Sequence, residues 1–253
     1  MFIDTHAHLN LEPFREDPGP VIARALDAGV SRMIVPSIDI PSAERAIAIA
    51  EKYPQVYAAA GLHPHESSSA PGNYLRIIEE FLSHPKVCAL GEIGMDLFRD
   101  YAPRGVQLRV FREQVELARG KGMPMIIHNR AADADTFEVL QEADYFRAQF
   151  HCFGSDEAFA YRVLERGALI SFTGVITFSP KVRDLAAKLS PEKLMSETDC
   201  PWMAPVPHRG KTNEPAWVAE VTRTYAQIFN TDISCMAETV RRNAEDFFKL
   251  PPL

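Results

Sequence analysis

The chain has 253 residues, of which 46% are hydrophobic and 24% are charged, with a formal net charge of -7 and a pI near 5.6. This length suits a single α/β barrel, and the composition excludes a disordered chain. The acidic balance argues against a protein that coats nucleic acid through a broad basic face, although it allows a local basic pocket. No apolar run reaches the roughly 18 residues of a membrane helix, and the N-terminus lacks a signal-peptide layout. We therefore expect one cytoplasmic domain over residues 1–253, with no membrane contact.

Short aliphatic or β-branched runs alternate with longer segments of helical periodicity along the chain. Eight strands are predicted at residues 1–4, 32–36, 56–62, 87–92, 123–128, 148–152, 168–173 and 194–198. Helices are predicted at residues 20–28, 42–52, 74–83, 106–121, 135–142, 156–166, 181–189 and 216–229. This alternation indicates parallel strands joined by right-handed crossovers, and eight units in this length favour a closed (β/α)8 TIM barrel. A further helix at residues 233–249 follows the barrel as an extra C-terminal helix.

The loops and cysteines suggest no second domain and no disulfide framework. The proline-rich stretch 201–215 after the eighth predicted strand is interpreted as one long functional loop. The cysteines are far apart and show no CxxC spacing, which favours reduced thiols. They are Cys88, Cys152, Cys200 and Cys235.

Histidines and acids follow the predicted strands where each strand ends. Because the carboxyl ends of barrel strands meet at one mouth, these side chains are expected to lie together. Side chains two residues apart on a strand point the same way, so both histidines of an HxH pair can face one ion. Any one of these residues is as often a hydrogen-bonded structural residue, but their coincidence on one rim favours a metal site. They are His6, His8, His63, His65, Glu92, His128, His151 and Asp199.

Imidazole and carboxylate ligands together suit zinc, manganese, cobalt or iron, whereas magnesium prefers oxygen ligands. If Glu92 bridges, four histidines, this glutamate and Asp199 supply seven contacts, which suits two divalent ions of the Zn, Mn or Mg type. Two ions roughly 3.5 to 4 Å apart activate water and polarise a phosphoryl or acyl oxygen together. Hydrolysis is therefore the predicted reaction.

A series of motifs in fixed order resembles one known family. HxH alone is a weak signal that many amidohydrolases share, whereas GEIG, ETDxPW and RGKxNEP in this order are specific. The motifs are FIDTHAHL at 2–9, GLHPH at 61–65, GEIGMD at 91–96, IIHNR at 126–130, HCFGS at 151–155, SFTGVITF at 171–178, ETDCPWMAP at 197–205, HRGKTNEP at 208–215 and NAEDFF at 243–248. The chain resembles the TatD family of metal-dependent hydrolases and deoxyribonucleases, within the amidohydrolase superfamily of TIM barrels.

The resemblance implies a role for each ligand. One ion would be held by His6, His8, Glu92 and Asp199, and the other by Glu92, His128 and His151. Glu92 would bridge where many amidohydrolases carry a carbamylated lysine. Asp199 would orient the nucleophilic water and take its proton, so Asp199 and Glu92 are the expected catalytic residues.

The resemblance also implies substrate contacts around the mouth. The histidines of HPH would donate hydrogen bonds to a phosphate, and basic residues would supply positive charge beside the ions. The alternatives are a histidine pair that stabilises its loop, and surface salt bridges to Glu214. The expected contacts are His63, His65, Arg130, Arg209 and Lys211.

Three positions depart from the family pattern. Ala131 stands where an acidic residue usually follows the H-x-R motif, with Asp133 as a candidate replacement. Leu97 stands where a tyrosine hydroxyl is usual, and Cys200 replaces a serine beside Asp199. We expect metal binding to survive these changes and substrate preference to shift.

The predicted function is hydrolysis of phosphodiester bonds at the 3′ end of DNA, with weak, local and salt-sensitive binding. No obligate protein partner is expected. One alternative is a hydrolase of a small ester, amide or lactone. Another is a non-catalytic barrel scaffold with a vestigial metal site.

Overall fold

The structure is a computed structural model that describes residues 1–99 and 101–251. Its described residues form one sheet of eight parallel strands, hydrogen-bonded in chain order. The strands are β1 (Phe2–Asp4), β2 (Val30–Pro36), β3 (Val56–Ala60), β4 (Val87–Asp96), β5 (Met125–Arg130), β6 (Ala148–Phe150), β7 (Leu169–Phe172) and β8 (Leu194–Ser196).

Hydrogen bonds between β1 and β8 bring the two ends of the sheet together. The Thr5 amide donates to the Ser196 carbonyl over 3.1 Å, and the Ser196 hydroxyl donates to the Ile3 carbonyl over 2.9 Å. Beyond the strands, Ala7 and Cys200 form a parallel bridge. The predicted (β/α)8 barrel is therefore confirmed.

Nine α-helices lie within the described residues, and each of the first eight follows the strand of the same number. They are α1 (Gly19–Asp27), α2 (Ile40–Lys52), α3 (Tyr74–Phe81), α4 (Arg104–Lys121), α5 (Asp133–Glu142), α6 (Glu157–Leu164), α7 (Pro180–Ala186), α8 (Val218–Ile228) and α9 (Ile233–Phe248). In the described part of the chain, no helix has both the length and the apolar character that crossing a membrane requires.

Local sequence signals set several helix ends. Asp39 accepts a hydrogen bond from the amide of Ser42, whose hydroxyl also takes part, and together they cap the start of α2. Asp156 accepts from the Phe159 amide and caps α6 in the same way. Gly122 ends α4 with a φ of 62°, a left-handed conformation that glycine adopts without strain.

The core has two parts, one between sheet and helices and one inside the barrel. The inner part contains Ile3, Ile126 and Met195 from the strands, packed with Phe247 and Phe248 of α9. The extra C-terminal helix therefore closes the barrel end opposite the mouth, because it packs where the strands begin. Burial of such aromatic side chains stabilises the fold by roughly 1.5 to 3 kcal/mol each.

Strand β4 extends further than predicted. It was expected to stop at Glu92, but it continues to Asp96, and the segment from Gly94 to Asp96 pairs in parallel with His128 to Arg130 of β5. Because the paired ends of both strands contain polar residues, a prediction based on hydrophobicity does not extend the strands this far. Since side chains alternate along a strand, the longer β4 turns Glu92 and Asp96 toward the same side.

Candidate metal centre

Three predicted ligands, His6, His8 and Asp199, lie beside one oxygen of Glu92. The Nε2 atoms of His6 and His8 lie 3.1 Å apart. Glu92 Oε2 lies 3.3 Å from the first and 3.5 Å from the second. Asp199 Oδ1 lies 3.8 Å and 3.6 Å from the same two nitrogens. The structure thus brings these four side chains together.

The other oxygen of Glu92 faces a second pair of histidines. Glu92 Oε1 lies 2.9 Å from His128 Nδ1 and 2.8 Å from His151 Nε2. These two nitrogens are 3.3 Å apart. One carboxylate therefore presents each of its oxygens to a different set of histidines.

Backbone geometry aims these side chains at each other. The chain after β1 continues along β8, so His6 and His8 are held beside Asp199, whose amide donates to the His6 carbonyl over 2.9 Å. Asp199 has a φ of 54°, in the left-handed region that aspartate tolerates better than most residues. The His6 ring stacks on the His151 ring with 4.0 Å between centroids, which links the two histidine sets.

The donor set fits divalent cations. Burial, with the neighbouring charge of His151, lowers the pKa of His6, and burial lowers the pKa of His8 to about 4. These imidazoles are therefore neutral and offer lone pairs. Burial raises the pKa of Glu92, but the positive charge of His151 and the hydrogen bond with His128 outweigh it and hold that pKa well below its usual value. Ligands about 2.1 Å from one tetrahedral ion lie about 3.4 Å apart, close to the spacings found here.

Asp199 also fits beside a cation. Burial, with the nearby charges of Glu92 and Glu197, raises the pKa of Asp199 to about 8. The ionised form of Asp199 is therefore unfavourable here when no positive charge is nearby. A positive ion within the cluster would offset that cost and favour the ionised form.

Asp96 is a site residue that the sequence prediction missed. Its Oδ2 lies 3.0 Å from His128 Nε2 and 2.8 Å from His65 Nε2. Its Oδ1 accepts from the amides of Phe98 and Arg99. Burial raises the pKa of Asp96, but these hydrogen bonds outweigh it and keep the pKa low. Asp96 is therefore ionised, and both of its oxygens accept hydrogen bonds. Its place four residues after Glu92, on the same strand face, was the available signal.

Comparisons with known proteins identify the family of this chain. The family described as TatD related DNase matches residues 3–249. This chain belongs to the TatD family. YabD of Bacillus subtilis strain 168, named an uncharacterized metal-dependent hydrolase, is 36% identical over 99% of this chain and 100% of YabD. The resemblance stated from the motifs is thereby confirmed.

Two further relatives of this TatD chain match nearly the full length. The crystal structure of the TatD homologue YjjV from Escherichia coli K12 superposes with a TM-score of 0.93, at 33% identity, covering 99% of this chain and 98% of YjjV. The protein named 3′-5′ ssDNA/RNA exonuclease TatD from Escherichia fergusonii is 29% identical, covering 97% of this chain and 98% of that protein.

The two HPH histidines differ in depth, since His63 lies below the rim of the mouth while His65 is partly exposed. His63 is buried, and its Nε2 lies 3.3 Å from Glu92 Oε1. Its Nδ1 accepts a hydrogen bond from the His65 amide over 3.1 Å, so the pair also stabilises its own loop. His65 is bonded to Asp96. The pair therefore contacts the metal centre from the β3 side.

The basic residues lie outside the ligand cluster. The guanidinium of Arg130 lies 4.0 Å from the ring centroid of Phe98. Arg209 lies 4.2 Å from the ring centroid of Phe178 and donates to the Ala204 carbonyl. Lys211 is exposed on the loop after β8.

The alternative of salt bridges from Arg209 and Lys211 to Glu214 is wrong. Glu214 pairs instead with Arg24 of α1, at 2.6 Å. Arg24 lies 190 residues from Glu214 in the sequence, so this ion pair could not be predicted from the sequence of the loop alone.

The structure shows what surrounds the positions that depart from the TatD pattern. Asp133 accepts hydrogen bonds from Asn129 and Ser155 and does not replace the missing acid at the ligands. Cys200 is fully buried, and burial raises the pKa of its thiol, so it is a passive thiol. Tyr101, absent from the prediction, places its ring 4.6 Å from the His65 ring.

Proposed function

We propose that the protein is a two-metal hydrolase of phosphodiester bonds that removes nucleotides from the 3′ end of single-stranded DNA. The observation that carries this proposal is the position of Glu92, whose two oxygens face two separate histidine sets. Membership of the TatD family and the name of the Escherichia fergusonii relative support the nucleic-acid substrate.

The metal ligands follow from the two sets. His6, His8 and Asp199 would hold one ion together with Glu92, while His128 and His151 would hold the other with the second oxygen of Glu92. When bound, such ions supply Lewis-acid activation of water and of a phosphoryl oxygen.

The side chains around the ions divide the remaining work. Asp199 lies at the inner edge of the mouth, where its carboxylate can accept the proton of the attacking water. His63 approaches Glu92 from the β3 side, and its Nε2 hydrogen can be donated to that carboxylate or, in its place, to a phosphate oxygen. Glu92 and Asp96 hold the His128 ring from opposite sides.

Positive charge flanks the mouth of an otherwise acidic protein. Arg130 is the last residue of β5, and Arg209 and Lys211 lie in the loop after β8, so a strand entering the site would meet cations on two sides. Few phosphates are engaged, so binding should be weak and should fall as salt rises. A scaffold without catalysis is not favoured, because six ligand side chains converge. A small neutral ester carries no charge that these flanking cations could bind.

The test combines metal analysis with end-labelled single strands. We expect about two divalent ions per chain and hydrolysis that a chelator abolishes and added metal restores. Digestion from the 3′ end should shorten a 5′-labelled strand into a ladder and release the label of a 3′-labelled strand as a mononucleotide. A protein that takes up no divalent ion, or that cleaves only small esters, would contradict the proposal.

A further inference from the structure

Exposed hydrophobic side chains are concentrated on the loops at the mouth. Among the described residues, Leu97, Phe98 and Tyr101 follow β4, and Phe178 follows β7. Trp202 and Met203 follow β8. A group of exposed apolar side chains at one end of a protein marks a binding surface, because water contact is unfavourable for them.

Two of these rings touch histidines of the metal centre. The Trp202 ring lies 5.4 Å from the His8 ring, and the Tyr101 ring lies 4.6 Å from the His65 ring. Trp202 is 50% exposed and Tyr101 is 63% exposed, so each presents much of its surface to the mouth. The exposed aromatic surface is thus continuous with the candidate metal centre.

Two other rings each carry a guanidinium. Arg130 lies over Phe98, which is 61% exposed, and Arg209 lies over Phe178. An arginine stacked on an aromatic ring presents the N–H groups at the edge of its guanidinium plane to a phosphate, and Arg209 gives only one of its nitrogens to the Ala204 carbonyl. Each pair therefore offers an aromatic ring, on which a base can stack, beside a guanidinium, which can bind a phosphate. A nucleotide carries both of these groups.

We propose that the loops after β4, β7 and β8 form a stacking surface for unpaired nucleobases, with Trp202 and Phe98 as its main rings. This inference rests on the proposed nuclease function and names how the enzyme would select its substrate. Every base has an aromatic face, so stacking favours single strands without demanding a sequence. A duplex hides those faces between its base pairs. The metal centre then receives the end of a strand whose last bases are held by these rings.

The experiment compares two metal-loaded assays on strands of equal length. One strand carries thymine bases, and the other carries abasic tetrahydrofuran residues on the same phosphate backbone. We expect the wild-type protein to show a lower KM on the thymidine strand. Trp202→Ala and Phe98→Ala should each raise that KM about tenfold, with a far smaller effect on the abasic strand. Trp202→Phe should keep most of the preference, because phenylalanine also stacks.

Tyr161→Ala is the matched control. Tyr161 is an exposed aromatic residue on α6, outside the mouth, so its loss should leave both KM values unchanged. Equal KM values of the wild-type protein on both strands would overturn the stacking surface while leaving the nuclease intact. Hydrolysis of neither strand would overturn the proposed function itself. Self-association of the wild-type protein that Trp202→Ala abolishes, without any change in KM, would assign the surface to protein contact and overturn the inference.

Discussion

Asp96 holds the Nε2 side of the His128 ring at 3.0 Å, while Nδ1 of the same ring faces Glu92 at 2.9 Å. Because Asp96 is ionised and accepts, it favours a proton on Nε2, and a cation bound on the Glu92 side would take the Nδ1 lone pair. A carboxylate in this position orients a ligand histidine and raises its basicity.

Asp96→Asn should therefore weaken metal binding about 10- to 100-fold. The amide can donate to His128 and so favours the wrong tautomer. Competition with a chromophoric chelator measures the dissociation constant independently of activity. Asp133→Asn is the control, since Asp133 bonds Asn129 and Ser155 instead of a ligand. An unchanged dissociation constant in Asp96→Asn would show that Asp96 does not position the ring.

Glu92→Gln should remove the bridge between the two histidine sets. The neutral amide offers one oxygen where the carboxylate offers two, so we expect at most one tightly bound ion per chain and loss of hydrolysis. Metal analysis after gel filtration gives the stoichiometry, and circular dichroism checks the fold. Two ions retained in Glu92→Gln would refute the bridging role.

Chelation should lower the thermal stability of the protein. A ligand that binds only the folded state stabilises it by about 2.7 kcal/mol at a concentration of 100 times its Kd. We expect Tm to fall after dialysis against a chelator and to recover on adding zinc or manganese. His6→Ala should blunt this response, because it removes a buried ligand. A Tm that chelator and metal leave unmoved would argue against resident ions.

Gly94 should tolerate no side chain. It has a φ of +137°, and a Cβ there would collide with the carbonyl oxygen of His128. Gly94→Ala should lower the free energy of unfolding by about 1 to 3 kcal/mol and impair hydrolysis, since it displaces a ligand strand. Gly120→Ala, on α4 with open space around it, should instead stabilise by about 0.5 to 1 kcal/mol. Denaturant titrations measure the free energy of unfolding of both variants. Equal changes in Gly94→Ala and Gly120→Ala would contradict the close approach of β4 and β5.

The ion pair between Arg104 and Asp135 should make stability depend on acid pH. Hydrogen bonding from Arg104 lowers the pKa of Asp135 below its model-compound value of 3.8. A lowered folded-state pKa contributes stability that is present above 3.8 and is lost as the pH falls through the lowered pKa. Asp135→Asn should therefore lower Tm at pH 7, with a difference that shrinks in acid. Melting curves across that range measure it, and a constant difference would exclude the ionic contribution.

The barrel and the ligand cluster were predictable because they depend on simple periodicities. Parallel strands place their carboxyl ends at one mouth, so His6 and Asp199 could be assigned to one cluster from opposite ends of the chain. Asp96 was missed because polar residues disguise the end of β4. The partner of Glu214 was missed because loop contacts depend on which distant surface the folded chain brings near.

The first and the last strand of the barrel contribute to a single centre. His6 and His8 follow β1, and Asp199 follows β8. A ribosome must therefore have released nearly the entire sequence before these groups can meet. A nascent or prematurely terminated product that lacks β8 would carry part of the donor set and no complete centre. Synthesis itself thus delays the complete ligand set until the last strand of the barrel has joined the first.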